Sequence, residues 1–304
     1  MEQIQNNRVI TDLYRENAQF PGIALDGSDV YLCWQRFVDR HDSLMASCRR
    51  GDEVVWEREI SDGGEVLHPV ILAHGGAIWY AWSEYARENW RILARCYRDG
   101  QWGEVLTVAS GEALFFPRLF TWQGKLHVIW TEQHKGSAAA VLCPLTEAGP
   151  GAAETVSAVG EAYRAGAAEG GDGNLYVAYD GFDGKQYKLF ARARTAAGWS
   201  EEIVVSQGED WASTPWIAAK PDGAVVGWYD YGYMAVYSVR SADLTVRDGA
   251  LAAVNPQCLK EGVDWYLDLH VASNSSGLQA MAYTRSKYDV LVCTRRGSEP
   301  WSRC

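Results

Sequence analysis

The sequence predicts an all-β chain: a six-bladed β-propeller with four-stranded antiparallel blades and an N-terminal strand that closes the last blade. Three observations carry this. Aromatic residues recur at Trp34, Trp82, Trp130, Tyr179, Trp228 and Tyr283, with spacings of 48, 48, 49, 49 and 55. A proline stands 13 residues before four of them, at Pro21, Pro69, Pro117 and Pro215, and Ala165 fills that place in the fourth copy. Between these marks lie short runs of Val, Ile, Tyr and Trp bounded by Gly, Asp and Asn, which is strand-and-turn chemistry. Units of four strands at a period of about 40–50 residues are the mark of propeller blades.

Within a unit, the first run follows the proline and the second ends in the recurrent aromatic. The third spans Leu44 to Cys48, Ile92 to Cys96, Val141 to Cys143, Leu189 to Ala193, Val236 to Val239 and Val290 to Cys293. The fourth follows a turn carrying Trp56, Trp102 or Trp199. The segment 84–98 has helix-forming composition, but Trp82 and Cys96 align with the other copies, and repetition outranks local propensity. The blades are expected at 18–63, 64–111, 112–159, 160–209, 210–257 and 258–304. The last copy ends without a fourth strand, and residues 6–12, which include Arg8, Val9, Ile10 and Thr11, supply a spare one. Such a closure removes exposed sheet edges. One domain of 304 residues is therefore expected.

The formal net charge of −11 argues against binding nucleic acid or anionic membrane. No apolar run approaches the length of a membrane span. The polar N-terminus points to the cytoplasm, or to secretion where a signal has been cleaved. The seven cysteines form no CxxC pair. Cys48, Cys96, Cys143 and Cys293 fall at equivalent repeat positions, about 10 Å apart on neighbouring blades, too far for disulfides between them. They read as small buried hydrophobes in a reducing compartment.

Two sets of positions belong at one mouth of the central channel. Just before the proline-equivalent stand Phe20, His68, Phe116, Arg164, Thr214 and Tyr266; two past the aromatic stand Arg36, Glu84, Glu132, Gly181, Asp230 and Arg285. The packing positions repeat from copy to copy and these do not. Variation at one end of a uniform frame is where a site is built. Glu84, Glu132 and Asp230 can act as acid and base, since glycoside cleavage needs two carboxyl groups about 5–10 Å apart. Arg36, Arg164 and Arg285 suit a carboxylate. Tyr266 fits a nucleophile or proton donor and His68 a base. Phe116, Trp211 and Trp265 suit stacking on a sugar, and Tyr231 belongs to a tyrosine-rich lip at 228–233. Each of these also has a plain structural role open to it: loop charges are often only solvated, and aromatics usually pack. His41, His68 and His134 lie on separate blades, so no metal site and no cofactor are expected.

The turns Arg98-Asp99-Gly100-Gln101-Trp102, Thr195-Ala196-Ala197-Gly198-Trp199 and 297–301 lie between third and fourth strands. In this they resemble the sialidase-like (BNR-repeat) superfamily, which carries its Asp box, Ser-x-Asp-x-Gly-x-x-Trp, at that place. The resemblance implies a glycoside hydrolase with an arginine triad, a Tyr nucleophile and an Asp acid. Arg164 then matches the first triad arginine, Arg285 another, and Tyr266 the nucleophile. Related propellers are polysaccharide lyases and lectins. The expectation is a hydrolase or lyase acting on an acidic sugar at the channel mouth, with a lectin-like protein or an interaction scaffold as alternatives.

Overall fold

A computed structural model describes residues 17–61, 63–232, 236–264, 269–286 and 289–302. The chain is a six-bladed β-propeller of small antiparallel sheets, three to five strands each, and no helix occurs among the described residues. No helix there is long and apolar enough to cross a membrane. The chain divides into two compact units, Met1–Gly111 and Glu112–Cys304.

The first unit holds two sheets. One runs β1 (Asn17–Asp26), β2 (Asp29–Val38), β3 (His41–Arg50) and β4 (Glu53–Glu59). The other runs β5 (Glu65–His74), β6 (Ala77–Ala86), β7 (Asn89–Arg98) and β8 (Gln101–Trp102), with β9 (Leu106–Gly111) also paired to β7. The helix-forming segment is thus the end of β6 and the whole of β7. Its residues pair across a hairpin from Ile78↔Tyr97 to Ala86↔Asn89, and their buried face supplies what local propensity lacks. Tyr31, Cys33, Leu44 and Ala46 of one sheet pack against Ile78, Tyr80, Trp82 and Leu93 of the other.

The second unit holds four. The third sheet is β10 (Ala113–Trp122), β11 (Lys125–His134), β12 (Ser137–Thr146), β13 (Gly149–Pro150) and β14 (Glu154–Thr155). The fourth is β15 (Ala162–Glu169), β16 (Leu175–Phe182), β17 (Tyr187–Thr195), β18 (Gly198–Trp199) and β19 (Ile203–Val204). The fifth is β20 (Trp211–Lys220), β21 (Gly223–Tyr231), β22 (Tyr237–Arg247) and β23 (Ala250–Val263); the sixth is β24 (Leu269–Ser273), β25 (Leu278–Ser286) and β26 (Asp289–Arg296). Second strands such as β16 and β21 are buried along almost their whole length, because sheets cover both of their faces.

Three details differ from expectation, and one expected strand falls outside the described residues. The outer strand splits into two short pieces in the second, third and fourth sheets. In the fifth it runs on to Val263, past the expected boundary at 257, through three register shifts that bend it along β22. The sixth shows three strands among the described residues, and the segment 6–12 proposed to complete it lies outside them. Cys48, Cys96 and Cys143 are buried and free, but Cys293 is disulfide-bonded. The distance argument weighed only partners at equivalent blade positions, and a disulfide is not confined to those.

The third-strand turns are held by a repeated arginine–tryptophan contact. Arg95 lies 5.2 Å from the Trp102 ring and donates from Nε to the Gly103 carbonyl at 2.8 Å. Arg192 lies 5.5 Å from Trp199 and donates to the Ser200 carbonyl at 3.0 Å. Arg295 stands 4.6 Å from Trp301. Each guanidinium covers an indole face and satisfies or shields the turn beneath it.

Candidate functional site

The recurrent proline marks a two-residue β-bulge. Register jumps between Gln19 and Gly22, Leu67 and Val70, Phe115 and Arg118, Tyr163 and Gly166, and Ser213 and Trp216. The first bulged residue has left-handed φ in every case: Phe20 50°, His68 52°, Phe116 54°, Arg164 38° and Thr214 57°. Such values are uncommon for residues with a Cβ and unfavourable for β-branched Thr. A bulge re-aims a side chain, and here it turns the residue before the proline-equivalent out of the strand's alternation. Neighbouring bulges touch. In the first unit the Phe20 and His68 rings meet edge to face at 5.1 Å. In the second, Arg164 Cζ stands 5.9 Å from the Phe116 ring centroid.

Two bulge amides in the second unit are held from the preceding sheet. The Arg164 N–H donates to Thr131 Oγ1 at 3.1 Å, and the Thr214 N–H donates to the Asp180 carboxylate. Thr131 and Asp180 each follow directly on the recurrent aromatic. The position that braces these bulges is therefore one residue past that aromatic, on the opposite face of the strand from the position two past it. Sequence reasoning chose the latter and read Gly181 where Asp180 matters. The signal was present: Gln35, Ser83, Thr131, Asp180 and Thr284 all place a polar group directly after a buried aromatic.

Asp180 is fully buried. Arg164 Nε donates to its two oxygens at 3.0 and 3.1 Å, and Nη2 completes a fork on Oδ2. Burial pushes the Asp180 carboxyl above its ordinary range, against the opposing pull of Arg164. The fork occupies Nε and Nη2 and leaves Nη1 directed elsewhere on a side chain that is about one-third exposed. The Tyr187 and Tyr231 hydroxyls sit within electrostatic reach of the guanidinium. Burial raises the Tyr231 hydroxyl, with a nearby Tyr237 adding to the effect and Arg164 opposing it, so it stays protonated at neutral pH. Two residues beyond the bulges, Arg118 Cζ lies 3.6 Å over the Trp216 ring, whose centroid is 4.1 Å from that of His270. Gly166 holds the equivalent place on β15, between β10 and β20, and offers no side chain to intrude on that stack.

The three expected acids part ways. Glu84 is fully buried, accepts the Trp82 indole N–H at 3.2 Å and pairs with Arg91, its neighbour across the hairpin. Asp230 is buried between the Trp228 indole and Arg240, each at 2.5 Å. Burial pushes its carboxyl up to about 6, with Trp228 and Arg240 opposing. Both acids are internal partners of the indole two residues before them on the same strand face, a local reason for an acid at that offset. Glu132 is exposed and lines a 280 Å³ groove with His134, Ala139, Val141 and Thr155, on the opposite face of β11 from Thr131. An acid–base pair of solvent-facing carboxyls therefore does not form from these three.

The arginines also have separate partners. Arg36 meets Glu59 at 3.2 Å, Arg285 pairs with Asp289 across the end of its hairpin, and Arg164 holds Asp180. Of the histidines, His41 stands 3.9 Å from Glu59 and His134 3.1 Å from Glu112. Phe116, Trp211 and Tyr231 do gather near Arg164: the Trp211 ring is 5.4 Å from Tyr231 and 5.5 Å from Tyr187. Tyr266 and Trp265 lie outside the described residues.

No protein-family model matches this chain, and no curated protein matches its sequence. Solved structures match its fold. A polysaccharide lyase, the ulvan lyase PL25, aligns with TM-score 0.60 and 8% identity over 98% of this chain and 82% of its own. A subtype N10 neuraminidase-like protein from A/little yellow-shouldered bat/Guatemala aligns with TM-score 0.56 and 7% identity over 94% of this chain and 93% of its own. A Mycobacterium tuberculosis puromycin-hydrolyzing peptidase aligns with TM-score 0.53 and 16% identity, over 88% of this chain and 42% of its own. The chain is a six-bladed β-propeller that shares its architecture with a polysaccharide lyase and a neuraminidase-like protein.

Proposed function

We propose that this protein is a carbohydrate-active propeller, a hydrolase or lyase, that takes an acidic saccharide at Arg164. One observation carries the reading: a guanidinium placed on a left-handed bulge, braced by a buried carboxylate and bordered by Phe116, Tyr187, Trp211 and Tyr231. Asp180 fixes the fork and neutralises part of its charge, while Nη1 is placed to donate to a sugar carboxylate, the chemistry arginine does best. The aromatic faces suit the C–H faces of a pyranose. A protonated Tyr231 beside the bound carboxylate is placed to donate a proton to a departing oxygen. Asp230 serves as a positioning residue that holds the end of β21, from which Tyr231 projects. The polysaccharide lyase and the neuraminidase-like protein with this fold lend support through their architecture alone.

A second reading is binding without turnover. It is favoured by the fact that Asp180 and Asp230 are each held by an arginine, so these two do not form a free carboxyl pair for acid–base cleavage. A panel of uronate- and sialate-containing glycans separates the two. Binding that Arg164→Ala abolishes supports the site, and new reducing ends or an unsaturated uronate product assign it to an enzyme. Binding by wild type and Arg164→Ala alike removes Arg164 from the site and defeats the proposal.

A further inference from the structure

The fourth and fifth sheets present six aromatic rings at one end of their strands. Tyr163 lies at the start of β15, Phe182 at the end of β16 and Tyr187 at the start of β17; Trp211, Tyr231 and Tyr237 hold the corresponding places on β20, β21 and β22. Phe182 pairs with Tyr187, and Trp211 with Tyr231 and Tyr231 with Tyr237, as direct cross-strand partners. Centroid distances of 6.1 Å (Tyr163–Tyr187), 5.4 Å (Phe182–Tyr187), 5.5 Å (Tyr187–Trp211), 5.4 Å (Trp211–Tyr231) and 5.4 Å (Tyr231–Tyr237) join all six into one continuous run.

Packing alone does not account for it. Core aromatics of this unit, such as Tyr176, Tyr179, Trp228 and Tyr229, belong to the buried clusters, whereas Tyr163, Phe182, Tyr187, Trp211 and Tyr231 belong to none of them. All six run members keep part of their surface in solvent, and Trp211 is 40% exposed. The run passes from Tyr163 to Tyr187, where Phe182 branches off, and on to Trp211, Tyr231 and Tyr237; Arg164, the neighbour of Tyr163, lies within electrostatic reach of Tyr187 and Tyr231. Contiguous partly exposed aromatic surface next to one fixed cation suits a ligand with one charged group and several apolar faces in series.

We infer that the run is a set of stacking subsites for a chain of sugar units, so that the ligand of the Arg164 site is an acidic polysaccharide rather than a single acidic sugar. The inference rests on the reading of Arg164 given above and extends it. Successive units stack along Trp211, Tyr187 and Tyr231 while one carboxylate pairs with Arg164.

The test is an affinity series on the intact protein with uronate-containing oligosaccharides of increasing length, the single uronate sugar included, measured by calorimetry. Each added stacked unit is expected to tighten binding about fivefold to tenfold until the run is filled. Trp211→Ala removes the gain with length; Trp211→Phe, which keeps a ring, restores much of it and controls for folding. Arg164→Ala weakens every member of the series. Affinity independent of length but still sensitive to Arg164→Ala overturns the stacking run and leaves the arginine site standing. No binding by any member overturns both.

Discussion

Asp180 receives two neighbours at once: the side chain of Arg164 from its own sheet and the backbone N–H of Thr214 from the next. One buried carboxylate thus sets the direction of the candidate ligand-binding guanidinium and locks the following blade's bulge. Removing Arg164 leaves that charge buried and half-compensated. Arg164→Ala is expected to cost about 2–4 kcal/mol in urea unfolding, and adding Asp180→Ala should recover more than half of it. Simple additivity of the two losses would show that the pair is not coupled.

Asp230 predicts a pH signature. Its carboxyl titrates near 3.8 when unfolded and at about 6 when folded. Between those values the folded protein holds the extra proton, so stability falls as pH rises from about 4 to 6 and levels off above. The effect is at most about 3 kcal/mol. Asp180, raised by its own burial, acts in the same direction. Thermal midpoints across this range should drop with pH in wild type and flatten in Asp230→Asn; an unchanged slope in that variant assigns the effect to other groups.

The fourth blade's bulge lacks the proline of its counterparts. Arg164 and Ala165 fall in the gap of the β15–β16 register, where no ladder partner is assigned. Ala165→Pro is therefore expected to stabilise by about 0.4–1 kcal/mol by restricting the unfolded chain. A lower melting temperature would mean that the Ala165 amide or its φ is needed as it stands.

Gly64 faces Glu84. A Cβ at Gly64 would lie 2.5 Å from Glu84 Cγ, and the Glu84 carboxylate is fixed by Trp82 and Arg91. With no flexible end to yield, Gly64→Ala should cost about 1–3 kcal/mol, read as a lower midpoint in denaturant. Wild-type stability would show that β6 shifts without breaking the ion pair.

Spacing alone determined the six units, their inner strands and the positions from Phe20 to Thr214 that the structure shows as bulges, because packing positions must recur wherever sheets of one shape stack face to face. The same periodicity marked Phe116 and Arg164, whereas Trp211 and Tyr231 are legible from aromatic chemistry and the tyrosine-rich lip at 228–233. Only the tertiary structure decided which charges are available for chemistry. Glu84 and Asp230 are expended on an indole and an arginine within their own sheets, and Asp180 was overlooked because side chains one residue apart on a strand face opposite sides. A charge in the sequence carries no label for the face it takes or for the neighbour that neutralises it. Those depend on strand parity and on contacts between residues far apart in the chain, as between Asp180 and Thr214.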